Sequence, residues 1–378
     1  CIRDRLYDYM EYLISLPWQK EDAGEINVAA AEAILNEDHY GLKKVKTRVI
    51  EQIAVMALRK KQAGSILLFV GPPGTGKTSV GRSIARALGR EYVRVSLGGV
   101  RDEADVRGHR RTYVGAMAGR IIDGIHKVGV SNPVMVLDEV DKLSVSYNGD
   151  PASALLEVLD PEQNSNFVDH YLNVPYDLSD VFFVCTANTT ETIPAPLLNR
   201  MEVIQFSGYT VNDKMAIAKE HLLAASYEQN GVDKDALIIP DDTLRALIDD
   251  FTMESGVRGL RKRIDTLCRQ AAVKLAKNDE PPFTVQPEDL HSWLDMQPVL
   301  HDHILSEKKP GVVTGLAWTQ AGGEILFIET LFTKGNGKLL LTGKLGDVMK
   351  ESAYLAMSLV KSMFPAEWED VEKCDLHI

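Results

Sequence analysis

Short apolar runs alternate with helical stripes between residues 65 and 187. Four runs of four to six residues have the length and the β-branched content of buried strands: Ser65–Val70, Tyr92–Ser96, Val134–Leu137 and Val181–Thr186. Amphipathic helical patterns separate these runs. Because strands that alternate with helices form a parallel sheet covered on both faces, we expect an α/β fold over this region.

Three helical patterns precede the first strand. Arg3–Leu16 carries apolar residues at helical spacing and ends before Pro17, and Val28–Leu35 and Leu42–Leu58 follow it. Since the first pattern begins abruptly, we expect residues 1–37 to be the end of an N-terminal helical region.

A purely helical pattern extends from Asp213 to Lys277. Asp279–Pro282 interrupts the last part of this helical region. The pattern predicts a separate helical bundle. The positions that form its three stripes are Ile217, His221 and Leu222, then Leu244, Leu247, Ile248 and Phe251, then Leu260, Ile264, Leu267 and Ala271.

The last segment mixes strand and helix patterns, and His303–Pro310 links it to the bundle. Val312–Trp318 and Ile325–Leu331 alternate like strands. Gly335–Gly337 predicts a hairpin turn that leads into a strand at 338–342, and a helix from 346 to 363 closes the segment.

Composition narrows the class of protein. A chain of 378 residues exceeds what one hydrophobic core usually serves, so two or three domains are expected. With 45% hydrophobic and 25% charged residues, no run of about 20 apolar residues and no apolar N-terminal run, the sequence favours a soluble intracellular protein without a membrane span. Four scattered cysteines indicate neither a disulfide framework nor a zinc site. A net charge of −12 makes nucleic acid a secondary partner, although a local basic face would still bind it.

One glycine-rich run has the complete pattern of a phosphate-binding loop between a strand and a helix. Its glycines let backbone N–H groups cradle phosphate at a helix N-terminus. Lys77 is placed to reach the β- and γ-phosphates of ATP, and the Thr78 hydroxyl to hold Mg²⁺. The run comprises Gly71, Pro72, Pro73, Gly74, Thr75, Gly76, Lys77 and Thr78.

Two further strands end in polar residues. Asp138, after Val134–Leu137, is placed to position Mg²⁺, and Glu139 to orient and deprotonate the attacking water. Asn188, after Val181–Thr186, is suited to contact the γ-phosphate and that water, the alternative being a cap on the next turn.

Two arginines are candidates for contacts with phosphate. Arg200 follows the turn-rich stretch Pro194–Asn199 and is either a solvated surface residue or a finger that reaches a neighbour's ATP. Arg258 begins a helix in Glu254–Leu260 and reaches phosphate if the bundle folds over the nucleotide. Taken alone, an arginine at that position is more often a surface residue.

Together these motifs, over residues 38–297, resemble the AAA+ superfamily, with Asn188 as sensor 1, Arg200 as arginine finger and Arg258 as sensor 2. Within it, the long strings at 98–103, 107–117 and 155–164 are similar to those of the Lon family of ATP-dependent serine proteases.

Further stretches extend the resemblance over nearly the whole chain. Asp38–Leu42, with His39 and Tyr40, resembles the Lon segment that wraps the adenine, and 311–317 and 343–349 resemble the start of the Lon protease domain. Two positions depart from the family pattern, Asn199 for the usual Asp and Ala118 for the usual Pro. We expect little functional effect, because the charged and aromatic residues remain.

The resemblance implies a hexameric ring whose central pore grips extended polypeptide. The pair that matches the family's pore residues is Tyr113 and Val114, and an aromatic ring engages any polypeptide without sequence preference. Tyr147, in the polar loop 144–150, is either a second pore contact or an ordinary exposed tyrosine.

The fold class expected is α/β: an AAA+ P-loop parallel sheet with helices on both faces, then an all-α lid bundle and a truncated α/β protease segment. The expected parts are the end of an N-terminal helical region (1–37), the nucleotide-binding domain (38–207), the lid (208–297), a linker (298–310) and the N-terminal part of a Lon-type protease domain (311–378).

The resemblance also implies that the family's catalytic serine and lysine lie beyond the match to 374–378. We therefore expect no peptidase activity from this chain and a loosely packed final segment. Ser352 and Ser358, near Lys350 and Lys361, sit on an amphipathic helix and match no catalytic position of the family.

The expected function is ATP-dependent unfolding and translocation of protein substrates for a Lon-type serine peptidase, with ATP and Mg²⁺ as cofactors. The bacterial cytoplasm is the expected location, with the mitochondrial matrix as the alternative. One rival function is a AAA+ nucleic-acid motor such as a helicase or a clamp loader. A scaffold with a degenerate ATP site is a second rival, disfavoured by the intact Lys77, Asp138 and Glu139.

Overall fold

The computed structural model divides the chain into two compact units, one ending at Pro298 and the other beginning at Val299. The residues that the structure describes are 2–21, 24–59, 66–100, 102–112, 115–143, 150–299, 309–319, 322–343, 345–366 and 373–378.

The first unit is built on a five-stranded sheet. All neighbouring strands are parallel, in the order β2-β3-β6-β1-β7. The expected parallel sheet with helices is thereby confirmed. Its strands are β1 (Ile66–Val70), β2 (Tyr92–Ser96), β3 (Val134–Asp138), β6 (Phe182–Ala187) and β7 (Met201–Gln205), and a small antiparallel ribbon is formed by β4 (Phe167–Val168) and β5 (Pro175–Tyr176).

Helices cover both faces of this sheet. Successive residues of β1 alternate between two cores, with Leu68 and Val70 in one and Leu67 and Phe69 in the other, and all are buried. Both faces are therefore apolar, as in parallel sheets generally. The helices of this part are α1 (Ile2–Ser15), α2 (Val28–Asp38), α3 (Lys43–Arg59), α4 (Lys77–Leu88), α5 (Glu103–Arg107), α6 (Arg120–Val128), α7 (Pro151–Leu159) and α8 (Ala195–Leu198).

The order of the strands brings three chain segments to one edge. β6 lies between β1 and β3, so the segments after Val70, Asp138 and Ala187 leave the sheet side by side. In parallel sheets, ligands bind outside the carboxyl ends of the strands.

A helical bundle with its own core completes the first unit. The second and third predicted stripes are buried in it, including Leu244, Leu260 and Leu267, whereas His221 and Leu222 of the first stripe are half-buried. The segment is not purely helical as expected, because Leu237–Ile238 pairs in parallel with Phe283–Thr284, and Ala218–Leu222 forms a π-helical turn. Its elements are α9 (Val211–Ile217), α10 (Leu223–Asn230), β8 (Leu237–Ile238), α11 (Asp241–Phe251), α12 (Arg258–Ala276), β9 (Phe283–Thr284) and α13 (Leu290–Leu294).

The second unit contains a two-stranded antiparallel ribbon, a three-stranded sheet and one helix. Among its described residues none is fully buried. Its elements are β10 (Val312–Thr319), β11 (Gly322–Glu329), β12 (Leu331–Lys334), β13 (Leu339–Leu340), α14 (Asp347–Met363) and β14 (Cys374–His377).

The hairpin expected at Gly335–Gly337 is wrong. β12 and β13 do not pair with each other; β14 lies between them, antiparallel to β12 and parallel to β13. The connecting turn wraps the carboxylate of Asp375, which accepts hydrogen bonds from the N–H groups of Asn336 (2.8 Å) and Lys338 (2.9 Å). A glycine-rich turn indicates a tight reversal, but it does not determine which strand fills the gap.

No helix among the described ranges is long and apolar enough to cross a membrane.

Candidate active site

The glycine-rich loop connects the end of β1 to the start of α4. Gly74 (φ 80°) and Gly76 (φ 93°) both adopt the left-handed conformation, which side chains disfavour. Thr75 is buried, and its hydroxyl donates to the carbonyl of Pro72 at 2.9 Å. The loop thus delivers the chain to the N-terminus of α4, where unpaired N–H groups and the helix dipole favour an anion.

Lys77 is the first residue of α4 and is 9% exposed. It donates to the carbonyl oxygens of Gly71 (2.5 Å) and Pro72 (2.8 Å) and to Oδ1 of Asn188 (3.2 Å). Burial lowers the pKa of Lys77, and the negative charges of Asp138 and Asp141 oppose that shift. A buried cation held by neutral oxygens is a favourable partner for an incoming phosphate.

Asp138 ends β3 and is 6% exposed. Its Oδ1 accepts from the hydroxyl of Thr186, and its Oδ2 accepts from the guanidinium of Arg94 at Nε (2.7 Å) and at Nη2. Thr186 also accepts from the N–H of Glu139 at 3.3 Å. One threonine on the neighbouring strand therefore contacts both adjacent acidic residues.

Glu139 adopts a left-handed conformation with φ 63°. Non-glycine residues in this conformation are held by their surroundings and cluster at functional sites. Its Oε1 accepts from Lys142 at 2.7 Å, and Oε2 lies against Gly98, where an added Cβ would be 2.1 Å away. The side chain is 37% exposed, so it lies within reach of water.

Asp141 is a member of the site that the sequence reasoning missed. It is 9% exposed, and its Oδ2 accepts from the backbone N–H of Asn188 at 3.1 Å. Its Oδ1 is buried without a partner among the described residues. The sequence does indicate its position, because Asp141 follows Asp138 by three residues. In the structure it lies on the short helical turn Val140–Lys142.

Residues from the bundle contact the phosphate-binding loop directly. The N–H of Val257 donates to the carbonyl of Gly74 at 3.1 Å, and the hydroxyl of Tyr209 donates to the carbonyl of Thr75 at 2.8 Å. Gly256 packs so closely that an added Cβ would lie 2.4 Å from the carbonyl carbon of Gly74. The bundle is thus held against the loop by one backbone hydrogen bond, one side-chain hydrogen bond and the close packing of Gly256.

Arg258 begins α12 beside the loop. Its Cβ lies 3.0 Å from the point that a Cβ on Gly74 would occupy. The carboxylate of Glu254 caps the same helix by accepting from the N–H groups of Gly259 and Leu260, both at 2.8 Å. This cap fixes the start of α12 and leaves the side chain of Arg258 exposed.

A pocket of about 210 Å³ lies on the same unit, and Tyr40 forms part of its wall. His39 is not in the wall: its ring Nε2 is 2.9 Å from the hydroxyl of Ser83. Burial is the main cause that lowers the pKa of His39 to about 4, so the ring is neutral at pH 7. The lining residues are Tyr40, Gly41, Leu42, Lys43, Lys44, Val45, Gln205, Ser207, Gly208, Tyr209 and Asp213.

Arg200 is paired within its own chain. Its Nη1 lies 2.7 Å from Oδ2 of Asp160 and donates to the carbonyl of Leu156 at 3.0 Å. The side chain is 36% exposed. These contacts anchor the guanidinium at the surface, and neither partner belongs to the Lys77 cluster described above.

The remaining residues are the three pore candidates and the two serines that we expect not to be catalytic. Tyr113, Val114 and Tyr147 lie outside the described residues. Ser352 and Ser358 donate to the carbonyls four residues earlier on α14, at 2.8 and 3.0 Å, as helix serines commonly do.

Comparisons with protein families match three consecutive parts of the chain. Residues 67–209 match the model of the ATPase family associated with various cellular activities (AAA), residues 228–283 match the Lon protease AAA+ ATPase lid domain, and residues 284–378 match the Lon protease (S16) C-terminal proteolytic domain. An AAA ATPase module implies a nucleotide-binding site.

Relatives show the same likeness over 98% of the chain. It is 58% identical to a Lon protease of Clostridium beijerinckii over 372 residues and 54% identical to one of Methanosarcina barkeri over 374 residues. A third relative, Lon protease 1 of Bdellovibrio bacteriovorus, is 53% identical over 373 residues. The chain covers 47% of each of these proteins, so it spans about half their length. With the ATPase, lid and proteolytic-domain matches in their consecutive order, the chain belongs to the Lon protease family.

Proposed function

We propose that this chain is the ATP-hydrolysing motor of a Lon-type protease, which unfolds protein substrates and moves them toward a serine peptidase. The observation that carries the proposal is the meeting of Lys77, Asp138, Glu139 and Asn188 at one sheet edge, beneath a bundle that contacts the loop. A phosphate-binding loop without hydrolysis would not need the two acidic residues held by Thr186.

The nucleotide phosphates occupy the N-terminus of α4 in this proposal. Lys77 exchanges its carbonyl partners for the β- and γ-phosphates, which suits a cation that burial has partly desolvated. Arg258, placed by the cap of α12, adds a second positive charge from the bundle. Tyr40 and the pocket around it receive the adenine, and His39, which precedes Tyr40 in the chain, is held by its contact with Ser83.

Hydrolysis requires an oriented water and neutralised phosphate charge. Glu139 accepts the proton of the attacking water, and Asn188 orients that water against the γ-phosphate. The Asp138 carboxylate and the Thr78 hydroxyl offer the hard oxygen donors that Mg²⁺ prefers, and the ion would neutralise charge on the phosphates. Asp138 is already held in a fixed orientation by Thr186 and Arg94, which suits a metal-positioning role.

Arg200 acts on the nucleotide of a neighbouring subunit in a hexamer. Its anchoring to Asp160, at the start of the Pro161–Asn164 stretch, supports this role because a finger must be held in a fixed position at the surface. Fingers that act in trans raise turnover by about 10³-fold or more.

A mixing experiment tests the trans assignment. Lys77→Ala and Arg200→Ala subunits are each expected to be nearly inactive, whereas an equimolar mixture regains activity, because some interfaces join an intact loop to an intact finger. Mixtures no more active than the sum of the two variants would place Arg200 in a role within its own subunit. Glu139→Gln mixed with Lys77→Ala serves as a control, because Glu139 and Lys77 belong to the same site.

The substrate is an unfolded or misfolded polypeptide gripped by Tyr113 and Val114, with Tyr147 as a second contact. The relatives' names as proteases and the acidic net charge of −12 favour protein over nucleic acid. The bacterial cytoplasm is the proposed location.

ATP turnover measured with casein and with duplex DNA separates the two kinds of motor. We expect casein to stimulate turnover and DNA to leave it unchanged. Stimulation by DNA alone would replace the proposed function by that of a nucleic-acid motor. Glu139→Gln is the control in both arms, since contaminating ATPases are unaffected by it.

A further inference from the structure

Helix α1 makes aromatic contacts far from the nucleotide site. Tyr9 is 9% exposed, and its hydroxyl donates to the carbonyl of Leu172 at 2.7 Å. The guanidinium carbon of Arg111 lies 4.2 Å from the centre of the Tyr9 ring, and the ring of Tyr171 meets it edge-on at 5.7 Å. One side chain of α1 thus contacts both Arg111 and the turn at 171–172.

That turn is organised by a fully buried carboxylate, Asp169. Its oxygens accept from the N–H groups of Gly119 (2.7 Å), Tyr171 (2.7 Å) and Leu172 (3.1 Å). Burial raises the pKa of Asp169, and these hydrogen bonds oppose the shift. Packing around it is tight, because an added Cβ on Gly108 would lie 2.7 Å from Oδ1. Asp169 therefore links the turn to both ends of residues 108–119.

Residues 108–112 and 115–119 form a stem that one backbone hydrogen bond closes. The N–H of His109 donates to the carbonyl of Met117 at 2.9 Å. Arg111 leaves this stem and stacks on Tyr9. The position of the stem is thus set by Asp169 from one side and by Tyr9 from the other.

Helix α1 is itself fixed to the sheet-containing part of the unit. The ring of Tyr12 stacks on His126 of α6 with centres 4.3 Å apart, and Nε2 of His126 lies 2.8 Å from the hydroxyl of Ser15. Leu16, just after the helix, is 3% exposed in the core. α1 can therefore act as a rigid support.

We propose that Tyr9 is a positioning residue that holds residues 108–112 and 115–119 in the orientation needed to engage polypeptide. It acts through two contacts, its ring on Arg111 and its hydroxyl on Leu172. The inference rests on the proposed function, because residues 108–119 include Tyr113. It adds a requirement outside the ATP site: engagement of substrate depends on α1.

Dependence of ATP turnover on casein concentration tests the proposal, with each rate divided by the casein-free rate of the same variant. Tyr9→Leu removes both contacts and raises the casein concentration that gives half-maximal stimulation by about two- to five-fold. A change of this size corresponds to the loss of one exposed cation–π contact. Tyr9→Phe keeps the ring, so its half-stimulating casein concentration stays close to the wild-type value. Tyr7→Leu on the same helix is the matched control, because Tyr7 is 70% exposed, and it leaves the value unchanged.

A second variant pair tests whether Arg111 is the partner of Tyr9. Arg111→Met raises the half-stimulating casein concentration when it is introduced into the wild-type protein. The same substitution has little effect on that concentration when it is introduced into Tyr9→Leu. Fully additive effects of the two substitutions would overturn the assignment of this contact.

Amide hydrogen exchange tests the positioning without any substrate. The Gly119 N–H exchanges about two-fold or more faster in Tyr9→Leu than in Tyr7→Leu. Unchanged exchange together with unchanged casein dependence would refute the proposal. If casein fails to stimulate the wild-type protein, the proposed function fails, and faster exchange at Gly119 still supports the positioning role of Tyr9.

Discussion

Replacing Thr186 by valine tests how the two acidic residues of the site are held. Thr186 is 1% exposed, and its hydroxyl donates to Asp138 and accepts from the N–H of Glu139. Valine has nearly the same shape but no hydroxyl. It therefore leaves Oδ1 of Asp138 buried without that donor, while the Arg94 pair on Oδ2 remains.

The size of the effect follows from the kind of hydrogen bond that is lost. A hydrogen bond to a charged group contributes about 1.5–3 kcal/mol, so Thr186→Val lowers the free energy of unfolding by about that amount. If the same interaction orients both carboxylates in the transition state, ATP turnover falls by about 10- to 150-fold. Thr186→Ser keeps the hydroxyl and loses one methyl group, which costs about 0.8 kcal/mol.

Urea unfolding and steady-state ATP turnover are measured for both variants. We expect Thr186→Ser to be slightly destabilised and active, and Thr186→Val to be more destabilised and nearly inactive while still binding ATP. Equal turnover in Thr186→Val and Thr186→Ser, at urea concentrations where both are folded, would refute the idea that this hydroxyl organises Asp138 and Glu139.

Three further predictions address the loop, the bundle and pH. Lys77→Ala abolishes ATP binding, whereas Glu139→Gln binds ATP but does not hydrolyse it; calorimetry showing equal affinity for wild type and Lys77→Ala would contradict the first part. Gly256→Ala pushes the bundle from the loop, because its Cβ would lie 2.4 Å from Gly74, and lowers ATP affinity about ten-fold, whereas Gly346→Ala, with open space around it, does not. Burial lowers the pKa of His39 from 6.5 to about 4, so the unfolded chain takes up a proton first as the pH falls. Its contribution to stability is therefore full above pH 6.5 and is lost toward pH 4, and His39→Gln shows a smaller loss over that range when urea midpoints are compared.

Four of the five strands of the sheet follow from the sequence because each carries its own pattern, whereas β7 was not predicted. The strand predicted at Tyr92–Ser96 has the observed bounds. The strand predicted at Val134–Leu137 is one residue longer in the structure, and the strand predicted at Val181–Thr186 is shifted by one residue at both ends. Fully apolar runs between amphipathic helices leave few alternatives to a buried parallel sheet.

The contacts that organise the site were less accessible from the sequence. Thr186 is one of several β-branched residues in an apolar strand, and only strand order places it beside Asp138. Asp141 accepts from the N–H of Asn188, a remote segment of the chain, which no local pattern encodes. The placement of β14 between β12 and β13 likewise depends on pairing between remote segments.

The measurement that tests the central claim most directly is ATP turnover of the wild-type chain, with and without casein, beside Glu139→Gln. The account predicts turnover that requires Glu139 and that rises when casein is added. Turnover that is equal in wild type and Glu139→Gln, or that does not respond to casein, would contradict the claim that this chain is a protein-driven ATPase motor.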